Sequence, residues 1–206
     1  MSKGVSKSNH LFLKIIDALV DDAYIIIPNA LNPELCHSLK ITAQTQRNYK
    51  YAGISKSFNK RIDSRRRRDK ISWLKEDSAS QSQYLDFMKE LQVQLNRELY
   101  LGINYYESHF AIYEKGAFYE KHIDAFKGEK NRVITTVYYL NDVWGEGDGG
   151  ELIIYNEENK YIDTIIPLAN TLVIFLSENF PHEVLPANKP RLSIAGWFRV
   201  DKKFNL

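Results

Sequence analysis

The sequence predicts an α+β protein that is mainly β, with helices in its first half and short strands closing into a sandwich or barrel-like double sheet afterwards. Three observations carry this. Up to about Tyr100 the apolar residues recur at helical spacing, and beyond Gly102 the period becomes strand-like and stays so. Eight β-rich runs then follow, near 105–114, 118–123, 132–140, 151–155, 161–165, 171–176, 182–185 and 191–200. Turn signals separate them at even spacing: Gly116, Gly128, the cluster Gly145 to Gly150, residues 156–159, Pro167 and residues 186–190. Even spacing without intervening helical patterns argues for an antiparallel double sheet and against βαβ units. The N-terminal helices would cover one sheet from outside.

Residues 1–9 are polar and read as a disordered leader. Residues 10–206 read as a single domain, with a helical and loop part at 10–104 and a strand-rich core at 105–200. Leu11, Phe12, Ile15, Ile16 and Leu19 give an amphipathic helix ending near Asp21. Tyr24 to Ile27 is a short strand closed by Pro28. Asn32 can cap the next helix, and Pro33 suits its first position, where no N–H is needed. Residues 46–70 have no clear period and hold the run Arg65 to Arg68. Apolar alternation returns at 71–74. Tyr84, Met88, Leu91, Leu95 and Leu99 step by three and four, so a helix runs from about Gln81 to Tyr100, with Gly102 placed to end it.

Composition excludes several classes. With 44% hydrophobic and 26% charged residues, this is a globular composition. Thirteen Tyr, ten Phe and three Trp suit half-buried strands. A net charge of +2 is too small for a phosphate-tracking protein. No apolar run approaches the ~20 residues of a membrane span, and the N-terminus lacks a signal-peptide core. Cys36 is the only cysteine, which points to a reducing, cytoplasmic setting.

Chemistry concentrates between Tyr113 and Trp197. His122 and Asp124 stand two apart on a strand and so point to one face. His182 can join them from a later strand folded back beside the first. Two imidazoles and a carboxylate leave an open face on non-haem Fe(II). Zinc is the alternative metal, and His-x-Asp alone is a common chance triplet. Arg191 shares a strand face with Ser193, Ala195 and Trp197. It points either to solvent or inward against an anion, and the small Ser193 and Ala195 leave room for a ligand. Tyr139 is either an ordinary strand tyrosine or a hydroxyl donor to the same anion. Arg65 to Arg68 invites a nucleic-acid reading, but Asp63 and Asp69 flank it. A solvated loop, or a surface that attracts an acidic protein, fits better.

These residues also form a pattern. Tyr113-x-x-Gly116-x-x-Tyr119-x-x-His122-x-Asp124, Val137-Tyr138-Tyr139-Leu140-Asn141, Gly149-Gly150-Glu151-Leu152, Pro181-His182-Glu183-Val184 and Arg191 with Trp197 resemble, in order and spacing, the core of 2-oxoglutarate- and Fe(II)-dependent prolyl hydroxylases. Arg67-Arg68-Asp69-Lys70-Ile71-Ser72-Trp73 resembles a segment of the oxygen-sensing, hypoxia-inducible-factor type and its bacterial relatives. Arg68 replaces the glycine expected there, so the local turn differs. The resemblance spans roughly residues 22–200.

The resemblance implies a double-stranded β-helix (jelly-roll) core and a 2-oxoglutarate-dependent dioxygenase. It implies Fe(II) on His122, Asp124 and His182, and 2-oxoglutarate anchored by Arg191 and Tyr139, with Tyr113 and Trp197 lining its pocket. Arg132, Arg67 and Asp69 match positions at the polypeptide substrate. The implied reaction consumes O2, releases succinate and CO2, hydroxylates a prolyl residue of a cytoplasmic protein, and draws on ascorbate as reductant. An elongation factor Tu-like target is the analogy for a bacterial chain. The alternatives are the same chemistry on a small molecule or nucleobase, or a non-catalytic jelly-roll that binds a carboxylate.

Overall fold

A computed structural model describes residues 7–56, 59–61, 65–125 and 131–200. The first half runs α1 (Lys7–Asp21), β1 (Tyr24–Ile27), α2 (Pro33–Thr45), β2 (Lys50–Tyr51), β3 (Ile54–Lys56), β4 (Asn59–Arg61), β5 (Lys70–Trp73) and α3 (Ala79–Leu99). The second half is all strand: β6 (Tyr105–Tyr113), β7 (Tyr119–His122), β8 (Arg132–Tyr139), β9 (Leu152–Tyr155), β10 (Tyr161–Ile165), β11 (Leu172–Leu176), β12 (His182–Val184) and β13 (Arg191–Arg199). The eight strands expected from the sequence are β6 to β13. Helix α1 begins at Lys7, inside the expected leader, while residues 1–6 and the Gly128 turn lie outside the described residues.

Local chemistry explains the helix ends. Asn32 Oδ1 accepts from Glu34 N–H at 2.8 Å, and Pro33 follows at the first helical position. Ser78 caps α3 by accepting from Gln81 N–H at 3.3 Å. The other end of α3 departs from expectation. Tyr100 itself takes the left-handed cap, at φ 54°, two residues before Gly102. Its side chain is 88% exposed, so the unusual backbone displaces nothing from the core.

The strands build two antiparallel sheets. One has the order β1-β11-β8-β13-β6-β5-β2, the other β10-β9-β12-β7. This is the jelly-roll, extended at the large sheet's edges by β1, β5 and β2. Alternation divides the large sheet into two faces. Ile134, Tyr138, Leu140, Leu192, Ile194 and Phe198 pack against α1, α2 and α3 through Ile15, Leu39, Tyr84, Met88, Leu91 and Leu95. Ala111, Tyr113, Val137, Tyr139, Val173 and Phe175 face the small sheet's Leu152, Ile154 and Val184. The second face holds the site. Among the described residues no helix is long and apolar enough to cross a membrane.

One helix-side contact fixes the position of β13. A Cβ at Gly196 would meet Tyr106 Oη at 2.3 Å and Cζ at 2.7 Å. That phenol cannot retreat freely, because it is hydrogen-bonded to Thr136 Oγ1 at 2.9 Å and Tyr84 Oη at 3.3 Å. Gly196→Ala is therefore expected to destabilise the protein by ~1–3 kcal/mol through overpacking, or roughly 2–4 °C in melting temperature per kcal/mol. Thermal unfolding checks this, and an unchanged melting temperature would show that the strand yields.

Candidate metal centre and anion pocket

Strand pairing brings the three ligand candidates together. β12 runs antiparallel to β7 with His182 directly opposite His122, and their ring centroids stand 4.3 Å apart. Asp124 follows two residues after His122 and is buried, with Oδ1 3.8 Å from His122 Nε2 and Oδ2 3.6 Å from His182 Nε2. One ligand atom from each residue lies within 4.8 Å of the others. In both imidazoles Nδ1 faces a backbone carbonyl, Glu120 O at 2.8 Å and Phe180 O at 2.9 Å. A carbonyl only accepts, so Nδ1 carries the proton and Nε2 keeps a lone pair for a metal. The donor set and its convergence fit a two-histidine, one-carboxylate iron site.

The surroundings hold these groups in ligating form. Burial and the neighbouring His182 lower the His122 pKa from 6.5 to about 3. Burial alone would raise the Asp124 pKa, but His182, His122 and Arg132 hold it below the ordinary carboxylate range. Thr135 Oγ1 donates to Asp124 Oδ2 at 2.9 Å and stands 2.9 Å from Ser177 Oγ, orienting the carboxylate. Tyr119 stacks on His122 at 3.6 Å and 18°.

These shifts fix a pH response. Between about pH 6.5 and 3 the unfolded chain binds a proton at His122 that the folded site refuses, so stability rises with pH across that window. The lowered Asp124 pKa acts in the same sense, its contribution disappearing as pH falls. The metal-free protein is expected to lose thermal stability as pH drops below about 6.5, and His122→Asn should flatten that slope. Melting temperatures across pH at constant salt decide; identical slopes in both proteins would refute the assignment.

A pocket of about 490 Å³, counted to its open mouth, leads inward from the triad. Its far end holds Arg191, which is 1% exposed. No carboxylate of the described residues lies within ion-pair distance of it; its NH1 donates to Ser193 Oγ at 3.2 Å, and Nε has no hydrogen-bond partner among them. The guanidinium carbon lies 4.8 Å from the Tyr113 ring centre and 5.0 Å from that of Tyr139. The Tyr139 hydroxyl is buried without a geometrically formed hydrogen bond. Burial raises its pKa to about 12, against the pull of the Arg191 charge, so it stays a donor. Arg191 lines the cavity as a buried cation, while Tyr139, whose ring stands beside the guanidinium, is not among the lining residues. A buried cation facing a cavity fits an anionic ligand.

Trp197 lies in the wall nearer Asp124, with its Nε1 buried and unpartnered among the described residues. Arg132 places its guanidinium 3.8 Å over the Trp197 ring, 3.7 Å from Asp124 Oδ1 and 3.4 Å from Glu107 Oε1. Arg67 forms a forked pair with buried Asp69, at 2.5 and 2.8 Å, and lies 4.4 Å over the Tyr119 ring. Arg67 thus departs from the expectation of a solvated loop, while Arg65, Arg66 and Arg68 are exposed. Arg67 bridges to Tyr119 as an added antiparallel strand residue. Arg68, in the place of the expected glycine, needs no positive φ.

Two further pocket residues, Thr135 and His109, are not singled out by sequence pattern. Thr135 has the parity of Val137 and Tyr139 on β8, which was the available signal. His109 is 2% exposed in the pocket wall, 5.4 Å from Trp197 and 5.1 Å from Trp73 between ring centres. It shares parity with Tyr113 on β6, but as the last of three polar residues, Glu107-Ser108-His109, it gives no distinct signal.

Comparison with known proteins agrees with this geometry. Residues 108–199 match the model of the 2OG-Fe(II) oxygenase superfamily. A hypoxia-inducible factor prolyl hydroxylase of Caenorhabditis elegans is 41% identical over 95 residues, which are 45% of this chain and 13% of that protein. The human prolyl hydroxylase EGLN3 is 35% identical over 85 residues, 40% of this chain and 35% of the relative. The aligned parts therefore span a minor share of these curated relatives. Coverage is fuller in solved structures. A Pseudomonas putida prolyl-4-hydroxylase superposes with a TM-score of 0.85 at 32% identity, over 92% of this chain and 99% of that one. A prolyl hydroxylase bound to a hypoxia-inducible factor oxygen degradation domain peptide, from Trichoplax adhaerens, gives 0.82 at 28%, over 96% and 92%. By fold, by the His-Asp-His cluster and by these likenesses, the chain belongs to the 2OG-Fe(II) oxygenase superfamily, and its relatives there are prolyl hydroxylases.

Proposed function

We propose that this protein is an Fe(II)- and 2-oxoglutarate-dependent prolyl hydroxylase, of the prolyl 4-hydroxylase type, acting on a proline of a cytoplasmic protein. The observation that carries the reading is Arg191, a buried cation without an anion in the pocket that opens onto the histidine–carboxylate triad. A dicarboxylate long enough to reach both ends satisfies both. His122, Asp124 and His182 hold Fe(II) through two Nε2 atoms and a carboxylate oxygen. Arg191 takes the remote carboxylate of 2-oxoglutarate, and the Tyr139 hydroxyl donates to it. Tyr113 closes that end of the pocket. Trp197 forms the wall nearer the metal. Arg67, which lines the pocket and is held by Asp69, and Arg132 over Trp197 would meet the polypeptide.

When bound, iron and 2-oxoglutarate supply the oxidising power, with O2 consumed, succinate and CO2 released, and one oxygen placed on a prolyl carbon. The chain's own work is positional. Thr135 and the two backbone carbonyls keep the ligands aligned, and the apolar walls from Val137, Leu152 and Val184 exclude water. Ascorbate would serve as the external reductant.

The test is mass spectrometry of proline-containing proteins and peptides incubated with the chain, Fe(II), 2-oxoglutarate and ascorbate, an elongation factor Tu-like protein among them. We expect gain of one oxygen on a single proline, matched by succinate, and loss of both in His182→Ala. Oxygen found only on free amino acids or nucleobases would overturn the prolyl reading while leaving the dioxygenase reading intact.

A further inference from the structure

One row of residues crosses the large sheet beside the triad. Trp197 on β13 stands opposite Glu107 on β6 and opposite Thr135 on β8, the residue that donates to Asp124. Arg132, the first residue of β8, places its guanidinium 3.8 Å over that Trp197 ring. Its NH1 faces the triad, 3.7 Å from Asp124 Oδ1, and its NH2 stands 3.4 Å from Glu107 Oε1. Arg199 NH1 meets the same Glu107 oxygen at 2.9 Å. Asp124, Arg132, Glu107 and Arg199 therefore form a ladder of alternating charge that starts at a ligand carboxylate. Their side chains are between 6% and 27% exposed, so water screens these charges less than on an open surface.

The ladder acts differently with and without a metal. In the metal-free site Arg132 is a counter-charge for a buried carboxylate, whose ionised form burial alone would disfavour. With a metal on Asp124, Arg132 becomes a like charge held one carboxylate away from it. It lowers the negative potential that Asp124 presents, and it opposes a trivalent ion more than a divalent one. Glu107 works in the other direction, because it offsets part of the Arg132 charge. The Trp197 face holds the guanidinium between the two carboxylates. Groups that never touch a metal tune it in this way through the ligand they face.

We propose that Arg132, graded by Glu107, is a positioning residue that favours divalent over trivalent iron by holding a positive charge against Asp124. This rests on the iron reading of His122, Asp124 and His182, and it gives Arg132 a task separate from meeting the polypeptide.

The experiment measures two quantities on the full chain without oxygen: the affinity for Mn(II), and the midpoint potential of bound iron titrated with redox mediators. In that couple Fe(II) gives one electron to the mediator and becomes Fe(III). Arg132→Gln should shift the balance toward Fe(III) by about tenfold, a fall of ~59 mV in the midpoint. The same variant should bind Mn(II) more tightly than the parent. Glu107→Gln should move both readings the opposite way, with a higher midpoint and weaker Mn(II) binding. Arg132→Lys keeps the charge and should stay close to the parent. A merely structural role would weaken Mn(II) binding in Arg132→Gln and Glu107→Gln alike, and would give the potentials no opposed signs. Unchanged midpoints in both glutamine variants, shifts of one sign in both, or a lysine variant that behaves like Arg132→Gln would each overturn the proposal. If the parent bound no stoichiometric iron, or bound it equally after His182→Ala, the metal-site reading itself would fail.

Discussion

Replacing Arg191 by Met is expected to raise the dissociation constant for 2-oxoglutarate at least a hundredfold, with no loss of stability in the ligand-free protein. The two halves of this expectation have one cause. Arg191 is 1% exposed and has no carboxylate partner among the described residues, so without ligand it is a desolvated charge that weakens the fold. Methionine fills a similar volume without that cost. With ligand present, a forked pair of charge-assisted hydrogen bonds is lost, each worth ~1.5–3 kcal/mol, and a factor of ten corresponds to ~1.4 kcal/mol. Arg191→Ala should lose both affinity and stability, because it leaves a cavity beside Tyr113 and Tyr139. Calorimetric titration in the presence of Mn(II), with melting temperatures of both variants, provides the check. An affinity within threefold of the parent would mean that the anion binds elsewhere.

The second large effect belongs to the triad and grades with distance from the metal. Thr135→Val removes the donor that orients Asp124 and should weaken Fe(II) binding by about 10–100-fold, the usual range for such supporting partners. His182→Ala removes a direct ligand and should exceed that range. Anaerobic Fe(II) titration of both variants measures the order, with circular dichroism to confirm that each remains folded. Equal affinities in parent and His182→Ala would place the metal away from the β7–β12 pair.

Much of this architecture is legible in the sequence because one face of the long core strands β6, β8 and β13 is largely apolar. The alternation on β13 places Arg191, Ser193, Ala195 and Trp197 on one face, and all four line the pocket. Parity alone leaves Arg191 and Tyr139 open between ordinary strand residues and ligand contacts, and the family resemblance singles them out. Helix α3 is legible because Tyr84, Met88, Leu91 and Leu95 all turn to the core. What escaped depends on interactions without a side-chain period. β2 is Lys50–Tyr51, both exposed, and carries no apolar signal. Residues 66–68 join β7 through backbone hydrogen bonds, which any sequence can make. Tyr100 caps α3 in a conformation that costs a non-glycine residue roughly 1–2 kcal/mol, so Gly102 was the more natural reading. Thr135 and His109 each adjoin another polar residue, Thr136 and Ser108, in partly apolar strands, and only the fold shows that their faces open onto a cavity.

One measurement tests most directly whether iron and 2-oxoglutarate share this pocket. Fe(II) and then 2-oxoglutarate are added to the protein without oxygen while the visible spectrum is recorded. A charge-transfer band should appear only when both are present, saturate at one equivalent of each, vanish in His122→Ala and require far more 2-oxoglutarate in Arg191→Met. A spectrum unchanged by 2-oxoglutarate, or a band that persists in both variants with unaltered affinity, would contradict the account.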